Sequence, residues 1–144
     1  MAPGNSVAPG ASPDEARAQH PLRVLIADDE RDFVLTFMAI LRDEGFEVKG
    51  VHNGRDALAA IAEFDPDAAV IDIQMPGMTG WDVARAIRKV GDEARPVLIG
   101  CSGRYVQGAD KALAQMAGFR HFLPKPCDPK ELVALLKTLT ARGA

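Results

Sequence analysis

Five times between Leu22 and Leu139 the chain repeats one unit: a short apolar run, then a longer stretch with apolar residues at helical spacing. The runs are Leu22–Ala27, Ala68–Ile71, Val97–Cys101 and the very short His121–Leu123, with Glu47–Val51 a weaker and more exposed strand in second place. A run apolar at consecutive positions is buried on both faces, so helices must cover it above and below. Strand and helix in strict alternation fit a parallel sheet joined by right-handed crossovers. The predicted fold is α/β: a flavodoxin-like (βα)5 three-layer sandwich with strand order 2-1-3-4-5.

Local signals set the boundaries. Phe33, Val34, Phe37, Met38, Ile40 and Leu41 recur at helical spacing, and Gly45 ends that helix. Asn53 caps the helix carrying Ala57, Leu58 and Ile61, which stops before Asp65-Pro66. Thr79 or Gly80 opens the third helix, through Trp81, Val83, Ala84 and Ile87. Pro96 begins the fourth strand, and a fourth helix is expected near 110–117, closed by Gly118. Asp128 caps and Pro129 starts the last helix, with Leu132, Val133, Leu135, Leu136 and Leu139. Residues 1–20 are mostly Ala, Pro, Gly and Ser, and are expected to form a disordered N-terminal tail ahead of one domain over 21–144.

Composition excludes several classes. With 144 residues and a net charge of −3, the chain suits one domain without the basic footprint of a nucleic-acid binder. No apolar run approaches the roughly 18 residues that span a membrane. Cys101 and Cys127 do not form a CxxC motif, and free thiols fit a reducing, cytoplasmic setting. His20, His52 and His121 lie on unrelated segments and suggest no metal cluster. Trp81 is read as packing.

The chemistry gathers at strand ends. The first strand delivers Asp28 and Asp29, the third Asp72, the fourth Ser102 and the fifth Lys125. In such a sheet the carboxyl ends of the strands share one rim, where ligands bind. Three carboxylates with one lysine are under-neutralised, and a hard divalent cation such as Mg²⁺ would relieve them. A carboxylate beside such a cation can accept a phosphoryl group, with Lys125 and the Ser102 hydroxyl on the phosphoryl oxygens.

These residues resemble the receiver domain of bacterial two-component response regulators, over about residues 22–141. Val24-Leu25-Ile26-Ala27-Asp28-Asp29-Glu30 is similar to the family's first-strand acidic motif. Val70-Ile71-Asp72-Ile73-Gln74-Met75-Pro76-Gly77-Met78-Thr79-Gly80 resembles its phosphoacceptor segment, and Lys125-Pro126 its Lys-Pro, whose peptide bond is commonly cis. The resemblance implies that Asp72 is the phosphoacceptor and that Asp28, Asp29, Asp72 and the main-chain carbonyl of Gln74 hold Mg²⁺, with Asp28 acting mostly through water. It implies Ser102 as the switch hydroxyl, Lys125 as the phosphoryl contact and Phe122 as the switch aromatic. Cys101 is the alternative at the switch position. Ser102 has the better donor and lies thirty residues after Asp72, as the family pattern asks. Ser102-Gly103 replaces the commoner Thr-Ala, Pro124 before Lys125 is unusual, and Gln74 and Arg104 occupy positions that tune phosphate lifetime.

The implied function is a phosphorelay switch rather than an enzyme. Its partners would be a histidine kinase or histidine phosphotransfer protein, and a downstream protein or second receiver. The latter would dock on the face of the fourth helix (110–117), fifth strand and last helix, with no direct contact to nucleic acid or membrane. An unphosphorylated interaction module is one alternative. A phosphohydrolase is another, but Gln74 stands where such an enzyme carries its general acid.

Overall fold

The computed structural model describes residues 21–90, 96–103, 112 and 115–139. The expected tail over 1–20, Arg104 and most of the helix expected near 110–117 lie outside these. In chain order the elements are β1 Arg23–Ala27, α1 Arg31–Asp43, β2 Glu47–Val51, α2 Gly54–Phe64, β3 Ala68–Asp72, α3 Gly80–Val90, β4 Val97–Ser102, β5 Phe119–Pro124 and α4 Pro129–Leu139. All strand pairs are parallel and the sheet order is β2-β1-β3-β4-β5, as predicted.

Alternating side chains of the sheet feed two apolar layers. Val24, Ile26, Val70, Ile99 and Cys101 pack with Val34 and Leu41 of α1 and Leu132 and Leu136 of α4. Leu25, Ala27, Ala69, Ile71 and Leu98 pack with Ala57 and Ala60 of α2 and Val83 and Ala84 of α3. Every residue of the central strand β3 is buried. This two-sided burial is why β3 reads as an unbroken apolar run.

Side-chain caps start three of the helices. Asn53 Oδ1 accepts from the Asp56 amide at 2.7 Å, and Asp128 Oδ1 from the Lys130 amide at 2.9 Å. At α3, Thr79 and Asp82 cap each other's amides at 3.2 and 3.0 Å, fixing Thr79 as the cap and Gly80 as the first helical residue. Gly80 is also sterically required. A Cβ there would lie 2.8 Å from Ile73 Cα and 2.9 Å from the Asp72 carbonyl oxygen.

Strand β5 corrects one expectation. It runs over six residues, Phe119–Pro124, rather than 121–123. Leu98 pairs with Phe119 but Ile99 with His121, leaving Arg120 as an extra residue in a bulge. The bulge puts Phe119 and Phe122 in the same layer although they are three residues apart. Period-two reading therefore misses the strand's start. At β4 the strand proper begins at Val97, one residue after Pro96, and includes Ser102.

No helix among the described residues is long and apolar enough to cross a membrane. Leu132, fully buried between α4 and the sheet, gives a test of the core. Leu132→Ala should cost about 2–5 kcal/mol in urea unfolding, whereas Leu35→Ala on the exposed face of α1 should stay within about 0.5 kcal/mol.

Candidate functional site

The sheet brings Asp28, Asp29, Asp72, Ser102 and Lys125 to its carboxyl-end rim. Asp28 follows β1, Asp72 ends β3, Ser102 is the last sheet-paired residue of β4 before Gly103, and Lys125 follows β5. Asp28, Asp72 and Ser102 are buried, at 1%, 5% and 5% exposure, while Asp29 and Gln74 are exposed.

Lys125 joins the two buried acids. Its Nζ donates to Asp28 Oδ2 at 2.7 Å and lies 3.6 Å from Asp72 Oδ2. The backbone around it is held as well, since the Lys125 amide donates to the Ser102 carbonyl at 2.8 Å. The Lys125–Pro126 peptide bond is cis, as the resemblance implied.

Backbone amides orient the carboxylates. The Glu30 amide donates to Asp28 Oδ1 at 2.9 Å, and the Gln74 amide to Asp72 Oδ1 at 3.1 Å. The Ile73 amide donates to the Cys101 carbonyl at 2.9 Å, holding the chain just past Asp72 against β4. Glu30 takes the N-cap position of α1 but makes no side-chain cap. The local capping rule is broken here, where the turn serves the carboxylate of Asp28 instead.

Charge in this cluster is poorly balanced. Asp28, Asp29 and Asp72 each offer an oxygen, and the three lie within 4.8 Å of one another. Two carboxylates at that separation repel by about 3–4 kcal/mol at an effective dielectric near 20. Burial pushes Asp72 above the ordinary value of 3.8, and the charges of Asp28 and Asp29 push the same way. The Gln74 amide and Lys125 oppose the shift without cancelling it. Burial pulls Lys125 down, but the hydrogen bond and charge of Asp28, then the charge of Asp72, leave it above its ordinary value.

The two switch candidates occupy different surroundings. Cys101 is 1% exposed in the layer shared with Cys127, Leu132 and Leu136, and its thiol interacts with that of Cys127. Ser102, one residue on, pairs with Pro124 at the end of the sheet. Phe122 pairs with Gly100, where a Cβ would come within 2.9 Å of the Phe122 ring. Its ring stacks on Trp81 (centroids 6.4 Å apart) and meets Phe119 edge-on at 6.2 Å. Trp81 is thus packing, as expected, but against the predicted switch aromatic.

Sequence reasoning missed three neighbours of the site. The Phe33 ring lies 5.1 Å from Lys125 Nζ, in cation–π range, and stacks on Phe37 at 4.3 Å. His52 Nδ1 is 3.3 Å from the Asp28 carbonyl oxygen. Cys127, two residues beyond Lys125, is buried in the layer that holds Cys101. Phe33 carried a helical-core signal that hid its second contact, and His52 carried no signal beyond following β2.

The raised pKa of Asp72 has a signed consequence for stability. The native state favours the protonated acid, so ionisation costs stability as pH rises from 3.8 through the raised value. Asp72→Asn removes that cost and keeps an acceptor for the Gln74 amide. In the absence of divalent cations it should stabilise the chain at neutral pH, with the advantage vanishing below pH 3.8. Thermal unfolding of both proteins across this pH range checks the sign.

Comparison with known proteins places this rim in a family. A family model for the response regulator receiver domain matches residues 24–137. Among curated proteins, the response regulator MprA of Mycolicibacterium vanbaalenii is 34% identical over 122 residues, covering 85% of this chain and 52% of that protein. The DNA-binding response regulator MtrA of Mycobacterium tuberculosis is 32% identical over 121 residues, covering 84% and 51%. The chain thus spans about half the length of the curated relatives it matches. Among solved structures, the chemotaxis protein CheY4 of Vibrio cholerae aligns with a TM-score of 0.76 at 26% identity, covering 83% of this chain and 98% of that one. A CheY-like receiver domain from Methanospirillum hungatei aligns at 0.72 with 28% identity, covering 82% and 92%. The sheet order, the acidic rim with its lysine and these matches agree: the chain belongs to the response regulator receiver domain family of two-component signalling.

Proposed function

We propose that Asp72 is the phosphoacceptor of this receiver and takes its phosphoryl group from a histidine kinase or a histidine phosphotransfer protein. One observation carries the reading most: Lys125 Nζ sits between Asp28 and Asp72, at 2.7 and 3.6 Å from their carboxylates. A cation held there can meet an oxygen of a phosphoryl group arriving at Asp72.

The acidic oxygens fit a hard divalent cation. Oxygen ligands on opposite sides of Mg²⁺ lie about 4 Å apart, close to the 4.8 Å envelope of Asp28, Asp29 and Asp72. Asp29, Asp72 and the Gln74 carbonyl would hold the ion, with Asp28 acting mostly through water. Bound there, Mg²⁺ would neutralise charge that builds on the phosphoryl oxygens.

The protein's own residues do the rest. An Asp72 carboxylate oxygen attacks phosphorus, the bond to the donor histidine nitrogen breaks, and an acyl phosphate remains on Asp72. Lys125 and the Ser102 hydroxyl contact the phosphoryl oxygens. Ser102 suits the switch better than Cys101, whose thiol is engaged with Cys127 in the core. Phe122 couples the change at Ser102 to a face that includes β5 and α4, where a downstream protein or second receiver docks. Gly100 lets the ring lie close against β4 while it stacks on Trp81. The domain works as a switch rather than a turnover enzyme, since Gln74 provides no general acid two residues after Asp72. A cytoplasmic setting suits both its kinase-type donor and its two free thiols.

The test uses Mg²⁺ with beryllofluoride, a phosphoryl analogue, while backbone amide shifts are followed. Shifts should appear at Asp72, Ser102 and Lys125, spread to Phe122, and vanish in Asp72→Ala. Lys125→Gln should slow phosphorylation by acetyl phosphate about a hundredfold or more. Unchanged spectra in the wild-type chain would refute the phosphoacceptor reading. A Cys101 response that survives Ser102→Ala would move the switch to Cys101.

A further inference from the structure

Two thiols meet immediately beneath the phosphoryl site. Cys101 lies opposite Asp72 in the β3–β4 register, and Cys127 is two residues beyond Lys125. Both are free cysteines, 1% and 8% exposed, in the same apolar layer. The two thiols interact with each other, and Cys127 Sγ lies 4.0 Å from the Asp128 carbonyl oxygen.

A buried thiol usually behaves as a small hydrophobe. This pair differs in having a route to solvent. A cleft of about 440 Å³ opens between α1 and the loop after β5, lined by Phe33, Gly103, Lys125 and Cys127 among others. A molecule the size of hydrogen peroxide can therefore reach Cys127 while Cys101 waits behind it. Cys127 lines the cleft at 8% exposure whereas Cys101 is 1% exposed and does not line it, so Cys127 meets the oxidant first.

We propose that Cys101 and Cys127 form a reversible internal disulfide under peroxide-class oxidants, and that this cross-link weakens phosphoryl binding at Asp72. The second half rests on the phosphoacceptor reading above. The Cys127 thiolate attacks peroxide, the O–O bond breaks, and a sulfenic acid forms with hydroxide leaving, protonated to water. Cys101 sulfur then attacks the sulfenic sulfur, the S–O bond breaks, and a second water departs. The two thiols lose two electrons and two protons in all, and one peroxide is reduced to two waters.

The coupling follows from chain connectivity. An S–S bond is much shorter than a contact between two thiols, so closure draws the Lys125–Cys127 segment toward β4. Lys125 is the residue that contacts both Asp28 and Asp72. Its displacement loosens the charge arrangement on which a phosphoryl group depends.

The chain is treated with hydrogen peroxide without denaturant and then mapped by peptide mass spectrometry. The expected product is monomeric, lighter by two hydrogens, cross-linked between Cys101 and Cys127, and restored by dithiothreitol. Free thiols after treatment, sulfinic acid at Cys127 alone, or dimers joined through Cys127 would overturn the disulfide. Cys101→Ala and Cys127→Ser should each abolish the cross-link, and the wild-type map decides the matter even if a variant folds poorly. Beryllofluoride with Mg²⁺ is then titrated into reduced and oxidised protein. Affinity should fall about fivefold or more on oxidation and recover on reduction; equal affinities would overturn the coupling. No response in the reduced protein would overturn the phosphoacceptor reading and the coupling with it, while the cross-link map still decides the disulfide.

Discussion

The Lys125 ammonium, set between Asp28 and Asp72, is the contact on which the site depends. It reaches from the end of β5 to acids at the ends of β1 and β3, 97 residues from Asp28 in the chain. Those three strand ends can share one rim only because the sheet is parallel with β3 central. At an effective dielectric near 20, the contact at 2.7 Å returns about 6 kcal/mol and the one at 3.6 Å about 5 kcal/mol. Even so, burial leaves the Asp72 carboxyl above its ordinary value. The lysine holds the acids together but does not settle their charge, and that deficit of positive charge suits a divalent cation.

Around this contact, local stability yields to positioning. The start of α1 goes without a side-chain cap while the Glu30 amide serves Asp28. Gly80 opens α3 because nothing larger fits against Ile73 and the Asp72 carbonyl. Phe33 divides its ring between Phe37 and the Lys125 ammonium. The rigid two-sided core under β3 makes these concessions tolerable, since its residues are buried on both faces.

Much of this was legible from sequence because the physics is local or periodic. Apolar runs with helical stretches between them specify a parallel sheet. Asn53, Thr79 and Asp128 announce their helices through the amides they cap. Asp28, Asp72 and Lys125 could be placed together because strand ends in such a sheet share a rim. The start of β5 was not legible, because the bulge at Arg120 breaks the two-residue period. Nor were Phe33 over Lys125 or His52 beside Asp28, contacts made across the fold by residues with ordinary local roles. The same holds for the meeting of Cys101 and Cys127, which depends on where the loop after Lys125 turns.

The central claim is that Asp72 carries the phosphoryl group, and chemical trapping tests it most directly. The chain is incubated with acetyl phosphate and Mg²⁺, then reduced with borohydride, which converts an acyl phosphate of aspartate to homoserine. Peptide mapping should find homoserine at position 72, dependent on Mg²⁺ and absent when acetyl phosphate is withheld. Homoserine at Asp28 or Asp29 instead, or at no aspartate, would contradict the account.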